Sequence, residues 1–434
     1  MRTFFSKLGW PIIIILIFIP VILWGVSLPL SERFGDLGET TTNIGQLLGL
    51  AGLAAFSLSM ILSTRLKFLE HFFGGMNRVY IAHHQLGGIA FILLMIHPLM
   101  LVVTYLQGSL TSAAYFFIPG EDIAINFGIT ALFSMMALLI LTYYIDLPYG
   151  LWRYTHQYLG IVFFLGGIHG LLVPSDISRD PILRTYMLGL AAIGFVGYLY
   201  KTVLGRFFVP KIPYSVTGVT KLTNDVFELT LTPAGYKKLR FSPGQFIFIS
   251  FHGAHLLSEA HPFSISSAPE PDRFSVTVKS LGDYTRWLPS LPVGTRACVE
   301  GPYGRFSYRY HDNPTQIWIA GGIGITPFLS MARTIREHPM TVDLYYCCKD
   351  ETEAVYLDEL TAITLTRSTF RVFPWFSKTN GRLSAIHIQE RSGTLKGKDV
   401  YVCGPPVMMR SLKGQLREIG VARDAIHSEE FGML

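Results

Sequence analysis

The chain predicts a six-helix transmembrane bundle, followed by an antiparallel β-barrel and then an α/β doubly wound domain. Three observations carry that expectation. Half of the 434 residues are apolar and only 15% are charged, yet residues 1–210 hold the long apolar runs while 211–434 hold most of the charge. Residues 214–309 show short alternating stretches bounded by turn residues, the signature of small antiparallel sheets. From about residue 314 strands alternate with helices, the pattern of a parallel sheet covered on both faces. The domains expected are therefore 1–210, 211–310 and 311–434.

The apolar spans fall at about 10–29, 43–63, 80–105, 126–147, 154–174 and 184–205, each near the roughly 20 residues needed to cross a bilayer. Arg2 and Lys7 before the first run invite comparison with a signal peptide. The run is long and lacks a small-residue cleavage site, so it is expected to be a retained helix, kinked at Pro20. With a cytoplasmic N-terminus the inner side carries Arg2, Lys7, Arg65, Lys67, Arg78, Arg153, Lys201, Arg206 and Lys211. The outer side carries only Arg33, Arg179 and Arg184, as the positive-inside rule requires. This orientation, in a plasma or inner membrane with both termini cytoplasmic, makes the third and fifth spans parallel.

Those two spans contain the most informative residues. His83 and His97 flank GGIAFILLMI, and His156 and His169 flank QYLGIVFFLGGI. An imidazole in lipid is costly unless something binds it. At about 1.5 Å rise per residue, spacings of 14 and 13 set each pair roughly 20 Å apart, one histidine near each face. Parallel helices then offer two stacked sites, His83 with His156 and His97 with His169. Each suits an iron porphyrin ligated from both sides, with no open position at the metal. In an ideal helix fourteen residues fall about 40° short of four turns and thirteen about 140° short, so the second pair does not share a face. His84, thirteen residues before His97, competes with His83. The alternative for any one of these histidines is a hydrogen bond to backbone or water between helices.

The net charge of +6 is dispersed and partly topological, with no basic run interleaved with aromatics, so a nucleic-acid partner is not expected. Cys298, Cys347, Cys348 and Cys403 all lie in the soluble half without metal-ligand or C-x-x-C spacing, as free thiols in a reducing compartment would.

In the soluble half, YSVTGVTKL, VFELTLTP, GQFIFISF, FSVTVKSLG and ACVEGPYG read as strands. QIWIAGG, VDLYYCCKD, FRVFPWF and KDVYVCG then lead into helical segments. Two glycine-rich turns follow strands: AGGIGITPF at 320–328, with Gly321, Gly322 and Gly324, and CGPP at 403–406. Bare backbone N–H groups at such turns suit a phosphate, although plain structural turns also use glycine. Lys349 after YYCC and Arg382 after Asn-Gly are candidates for a 2′-phosphate, or plain surface charge.

HPFSISS at 261–267 resembles the flavin-binding signature of the ferredoxin–NADP reductase family, in the His-Pro-Phe-Ser form of its transmembrane branch. GQF at 244–246, EGPYG at 300–304, GGIGITP at 321–327 and CGPP at 403–406 match that family in order and spacing, so the resemblance covers 214–434. NRVYIAHHQLGG, YTHQYLG and IHG at 168–170 are similar to the ferric reductase-type transmembrane domain of NADPH oxidases and ferric-chelate reductases. Gly87, four residues after His83, selects His83 over His84 in that pattern. The resemblance implies FAD held by His261, Pro262, Phe263 and Ser264. Lys279, Gly282 and Thr285 are implied as diphosphate contacts, the alternative for Lys279 being an exposed strand-end lysine. It implies NADPH (or NADH) on Gly321, Gly322, Gly324, Thr326, Pro327, Cys403, Gly404 and Pro405, two haem b groups on the four histidines, and Phe431 near the flavin.

The function these readings imply is electron transfer from cytosolic NAD(P)H through FAD and two haems to an outer acceptor. A flavin joins a two-electron donor to a one-electron acceptor. Oxygen is the expected acceptor, because 106–125 has no Lys, Arg or His to steer a ferric complex. Ferric iron, or a quinone or protein partner, are the alternatives within the same architecture. Arg78 and Arg153, on the inner rim, are candidates to pair haem propionates, the alternative being topology alone. A non-enzymatic alternative is a metal transporter with a nucleotide-sensing domain; it expects carboxylates among the histidines, and neither helix has one between its pair.

Overall fold

The structure is a computed structural model and describes residues 7–253, 259–335 and 339–429, except the Arg206 side chain. The chain divides into two compact units, Met1–Val209 and Pro210–Leu434.

Among the described residues of the first unit, five helices are long and apolar enough to cross a membrane. They are α1 (Gly9–Ser27), α2 (Leu37–Leu62), α3 (Met76–Leu106), α4 (Ile123–Tyr143) and, after shorter helices, α7 (Pro181–Tyr198), which runs on as a π-turn over Leu199–Val203. Helix α1 continues through Pro20. Three of these helices begin at an aspartate whose carboxylate accepts from free first-turn N–H groups. Asp36 accepts from Glu39, Asp122 from Ala124 and Ile125, and Asp180 from Ile182 and Leu183.

The span expected at 154–174 is two helices, α5 (Tyr149–Gln157) and α6 (Leu159–Leu172), meeting at Tyr158. The Tyr158 N–H reaches back only three residues, to the Thr155 carbonyl at 3.1 Å. A 3₁₀-like turn advances about 120° per residue instead of 100°. The break therefore narrows the angular deficit between His156 and His169 that an unbroken helix carries.

Helix α2 is the most enclosed of the bundle, packing along α1, α3 and α7. Its Gly45, Gly49 and Gly52 face α3: a Cβ on any of them would come within 3 Å of Leu101, the His97 ring or Leu94. Small residues at this spacing let two helix backbones approach closely.

Arg33, counted among the outer charges, is fully buried. Its guanidinium bonds Asp176 Oδ2 (2.9 Å), Asn43 Oδ1 (3.1 Å), the Trp24 carbonyl (2.7 Å) and Ser27 Oγ (2.8 Å), and it stacks over the Trp24 ring at 3.9 Å. It ties the α1–α2 connection to the segment before α7, so it does not serve as an interfacial charge.

The second unit opens with six strands: β1 (Ile212–Lys221), β2 (Val226–Pro233), β3 (Phe246–His252), β4 (His261–Ser264), β5 (Phe274–Lys279) and β6 (Arg296–Tyr303). They form one antiparallel sheet in the order β4-β3-β6-β1-β2-β5. Beyond β4 a bridge pairs Ile265 with Val276 of β5, and Ser266 N–H donates to the Ser275 carbonyl (2.9 Å). The two edge strands thus meet around a core that includes Val216, Leu229, Ile247, Ile249, Ile265 and Val276.

The rest is a five-stranded parallel sheet, β11-β10-β7-β8-β9. Its strands are β7 (Thr315–Gly321), β8 (Thr341–Cys348), β9 (Phe370–Phe376), β10 (Asp399–Cys403) and β11 (Ile426–Glu429). Side chains alternate between two cores. Trp318, Leu344, Tyr346 and Tyr401 pack on one face; Ile317, Ile319, Tyr345, Val400 and Val402 pack on the other. Strand order reverses between β7 and β10, and that reversal opens a crevice at their carboxyl ends.

Removing one partner of a buried ion pair leaves the other charge stranded, at a cost of about 3–5 kcal/mol. Arg33→Ala is therefore expected to lower the apparent Tm in detergent sharply, while Arg33→Met with Asp176→Leu recovers much of the loss. Equal Tm for wild type and Arg33→Ala would contradict the role given to this network.

Candidate cofactor sites

The four histidines meet in two pairs inside the helical unit. His83 and His156 have ring centroids 6.2 Å apart, and His97 and His169 6.4 Å apart. Two imidazoles ligating one metal from opposite sides with bonds of about 2 Å set their centroids roughly 6.3 Å apart. Residues 83, 97, 156 and 169 thus fit the group expected of them. His84 instead packs edge-on against Tyr143, centroids 5.7 Å apart.

The hydrogen bonds prepare three of the rings as ligands. His83 Nδ1 lies 2.9 Å from the Ser59 carbonyl, His97 Nδ1 2.6 Å from the Gly45 carbonyl, and His169 Nδ1 2.8 Å from the Ala124 carbonyl. A carbonyl only accepts, so Nδ1 carries the proton and Nε2 keeps its lone pair for a metal. Such second partners fix ring orientation and raise ligand basicity. Ser59 Oγ also sits 2.9 Å from His83 Nδ1. His156 is held differently: its Nδ1 is buried without a hydrogen bond, and its ring stacks on Trp152 at 5.2 Å. Glycines give the rings room, since a Cβ at Gly49 or Gly128 would come within 2.9 Å of the His97 or His169 ring. Arg78 and Arg153 stand on α3 and α5, before the histidines nearest those helix starts.

Sequence reasoning missed Ser59, Gly45, Ala124, Gly49, Gly128 and Trp152. Only Gly45 and Gly49 left a readable trace, a G-x-x-x-G spacing in an apolar helix; a backbone carbonyl leaves none.

In the second unit, β4 places His261–Ser264 at the edge of the antiparallel sheet, paired with β3. The His261 ring stacks on Tyr284 at 3.7 Å, and its Nε2 lies 3.1 Å from Glu259. Burial, with the Glu259 charge adding to it, pushes the Tyr284 phenol up, so this ring stays neutral. Ser264 Oγ is buried with no hydrogen-bond partner, which suits a polar ligand atom it has yet to meet. Lys279 pairs with Asp225 at 3.3 Å. Thr285 Oγ1 accepts from the N–H groups of Leu281 and Gly282, shaping the turn before the short helix Asp283–Trp287.

The two glycine elements of the parallel sheet touch. A Cβ on Gly324 would lie 2.4 Å from the Cys403 carbonyl oxygen, and one on Gly404 would lie 2.9 Å from Gly321 Cα. Gly322 has φ +52°, a backbone that disfavours side chains. GGIGITP and CGPP therefore line the crevice between β7 and β10 together, with Thr326 and Pro327 opening the helix Thr326–Ala332 and Pro405 capping the helix Pro406–Glu418. Burial pushes the Cys348 thiol up to about 11 and Cys403 well above its ordinary value, so neither is a thiolate at neutral pH. Lys349 and Arg382 are exposed just past the carboxyl ends of β8 and β9. Asp350, next to Lys349 in the chain, is held down to about 2 by its hydrogen bond from Lys378 at 2.6 Å. Phe431 lies outside the described residues.

Against known proteins, residues 48–167 match the ferric reductase-like transmembrane component, 211–307 an FAD-binding domain and 318–414 an oxidoreductase NAD-binding domain. That set of three domains fits the NADPH oxidase/ferric reductase family. The chain is 27% identical to human NADPH oxidase 3 over 219 residues, 47% of this chain and 35% of that one. It is 32% identical over 232 residues to the ferredoxin reductase component of 3-ketosteroid-9-alpha-monooxygenase from Mycolicibacterium smegmatis, 50% of this chain and 65% of the relative. The matches thus span between about a third and two-thirds of these relatives' own lengths. In fold, it is similar to a flavohemoglobin from Malassezia yamatoensis, with TM-score 0.51 at 18% identity, covering 76% of this chain and 92% of that one. The membrane-type helices with FAD-binding and NAD-binding domains are the domain set of an oxidoreductase.

Gly324→Ala forces a methyl into the Cys403 carbonyl, a clash that costs roughly 1–3 kcal/mol where the backbone cannot yield. The expected result is a lower Tm and at least about tenfold weaker nucleotide binding by titration, with flavin content unchanged. Wild-type nucleotide affinity in this variant would remove the crevice from the binding site.

Proposed function

We propose that this protein carries electrons from NAD(P)H, through FAD and two bis-histidine haems, across a six-span membrane bundle to an acceptor on the far side. The observation that carries the reading is the pairing of four histidines at 6.2 and 6.4 Å, three with Nδ1 bonded to a helix carbonyl. When bound, flavin converts hydride donation into single-electron delivery and each haem passes one electron. The chain's part is placement: α2 and α4 carbonyls aim the imidazoles, Gly49 and Gly128 give the rings room, and His83 with His156 and His97 with His169 would each hold one haem. His261–Ser264, at the edge of the antiparallel sheet, would hold the flavin, with Gly282, Thr285 and Lys279 toward its diphosphate; for Lys279 this means sharing or leaving Asp225. Gly321, Gly322, Gly324 and Cys403–Pro405 would hold the nucleotide, and Phe431 would cover the flavin.

Oxygen is the proposed acceptor, since the connection at 106–125 carries no basic residue to hold a ferric chelate. The transporter alternative loses support, because among the described residues no carboxylate joins either histidine pair in a metal-ligand cluster.

An optical spectrum before and after NADPH tests the proposal. Six-coordinate low-spin bands that sharpen on reduction are expected, with pigment halved by His83→Ala or His97→Ala and abolished when both are changed. Colourless protein from haem-replete cells, or unchanged pigment in the double variant, would falsify the reading. Superoxide formed in step with NADPH oxidation is the product expected with oxygen; turnover only with ferric chelate or quinone would reassign the acceptor.

For the nucleotide, Lys349 and Arg382 are proposed to meet the 2′-phosphate. Lys349→Ala with Arg382→Ala is expected to lower kcat/KM for NADPH by about tenfold or more, leaving NADH nearly unchanged. An equal fall for both nucleotides would rule out a 2′-phosphate role.

A further inference from the structure

The edge of the parallel sheet opposite the nucleotide crevice carries a second cluster that neither flavin nor nucleotide chemistry uses. His311 lies in the segment joining β6 to β7, Asp399 opens β10, and His427 is the second residue of β11. Tyr401 and His427 are register partners, so Asp399, Tyr401 and His427 share one face of the sheet. His311 comes over that face from the connecting segment, its ring centroid 3.7 Å from that of His427 and 5.9 Å from that of Tyr401. Four residues of strand, roughly 13 Å, separate Asp399 from the glycine turn at Cys403.

The donor atoms of these three side chains lie within 4.8 Å of one another. His427 Nε2 stands 3.3 Å from Asp399 Oδ2, with only 11% and 13% of the two side chains exposed. That nitrogen is buried and makes no hydrogen bond, since the approach to Oδ2 lacks the geometry of one. A buried ring nitrogen without a partner is costly, and it needs an explanation. The other carboxylate oxygen, Oδ1, faces Asn313 Nδ2 at 3.5 Å, and Asn313 itself donates to the Gly397 carbonyl at 2.8 Å. Asp399 is thus held with Oδ2 toward the imidazoles.

We propose that His311, Asp399 and His427 bind a divalent transition-metal ion of the zinc type. Two imidazoles and one carboxylate are borderline ligands that favour such ions over calcium or magnesium. Tetrahedral bonds of about 2.0–2.2 Å separate neighbouring donor atoms by roughly 3.3–3.5 Å, the spacing His427 and Asp399 already have. His311 must turn its ring out of the stack with His427 to complete the set. Its partial exposure leaves a side open for the ion and for water as a fourth ligand. The ion would staple the segment entering the nucleotide-binding sheet to that sheet's last two strands. The mechanical gain is plain, because β11 is an edge strand that, among the described residues, pairs only with β10.

The test uses full-length protein with its cofactors, stripped with EDTA, desalted and titrated with ZnCl2 by calorimetry while thermal unfolding is followed in parallel. One Zn²⁺ per chain at micromolar or tighter affinity is expected, together with a rise in Tm. His311→Ala and His427→Ala should each weaken binding by more than about tenfold and abolish the Tm rise, and His252→Ala should leave both intact. His311 lies outside the strands, so its variant remains informative if His427→Ala misfolds. Failure of wild type to bind Zn²⁺ tighter than about 0.1 mM, or wild-type affinity in His311→Ala, overturns the proposal. Haem and flavin content are recorded in the same samples, so loss of the electron path is read separately from loss of this site.

Discussion

An imidazole lodged between apolar helices has two ring nitrogens to satisfy, and the helical unit is arranged around that demand. Three Nδ1 atoms find backbone carbonyls of a neighbouring helix, which fixes the proton there and leaves the Nε2 lone pair available to a metal. A helix carbonyl can do this because its second lone pair stays available after the i+4 bond. Ser59 shows the sharing: its carbonyl accepts from both Ser63 N–H and His83 Nδ1. Rings are thereby oriented without any buried charge, which a bilayer would penalise.

Closeness is the second requirement, and glycine supplies it. Gly45, Gly49 and Gly52 bring α2 against α3, and Gly128 on α4 clears the plane of His169. Where α1 connects to α2 the same unit accepts an opposite solution. Arg33 is buried outright because four acceptors and an indole face surround it. These contacts engage both terminal nitrogens of the guanidinium and offset the cost of burying its charge, while Nε has no hydrogen-bond partner among the described residues.

In the second unit, the order of strands positions the chemistry. With β7 central and β8 and β10 on either side, two turns far apart in sequence end at one crevice. The contact between Gly324 and the Cys403 carbonyl, and between Gly404 and Gly321, makes the two motifs a single surface. Neither glycine segment would be specific alone. Histidine follows a similar logic at the opposite edge, where His311, Asp399 and His427 converge only because β10 and β11 pair in register.

Periodicity and composition by themselves determined much of this protein: the division near residue 210, the positions of the apolar helices, the change from alternating strands to a strand–helix repeat, and the spacing that singled out four histidines. Each of these is a local property, set by how apolar residues repeat along the chain. The family motifs pointed to the FAD-binding and NAD-binding domains for the same reason. Tertiary structure alone decided the rest. The break at Tyr158 changes the phase between His156 and His169 through a single three-residue turn, which hydropathy does not register. Arg33 looked like a surface charge because its partners lie up to 143 positions away. The Ser59, Gly45 and Ala124 carbonyls belong to the backbone, which every residue shares, so no side-chain pattern announces which ones will face an imidazole.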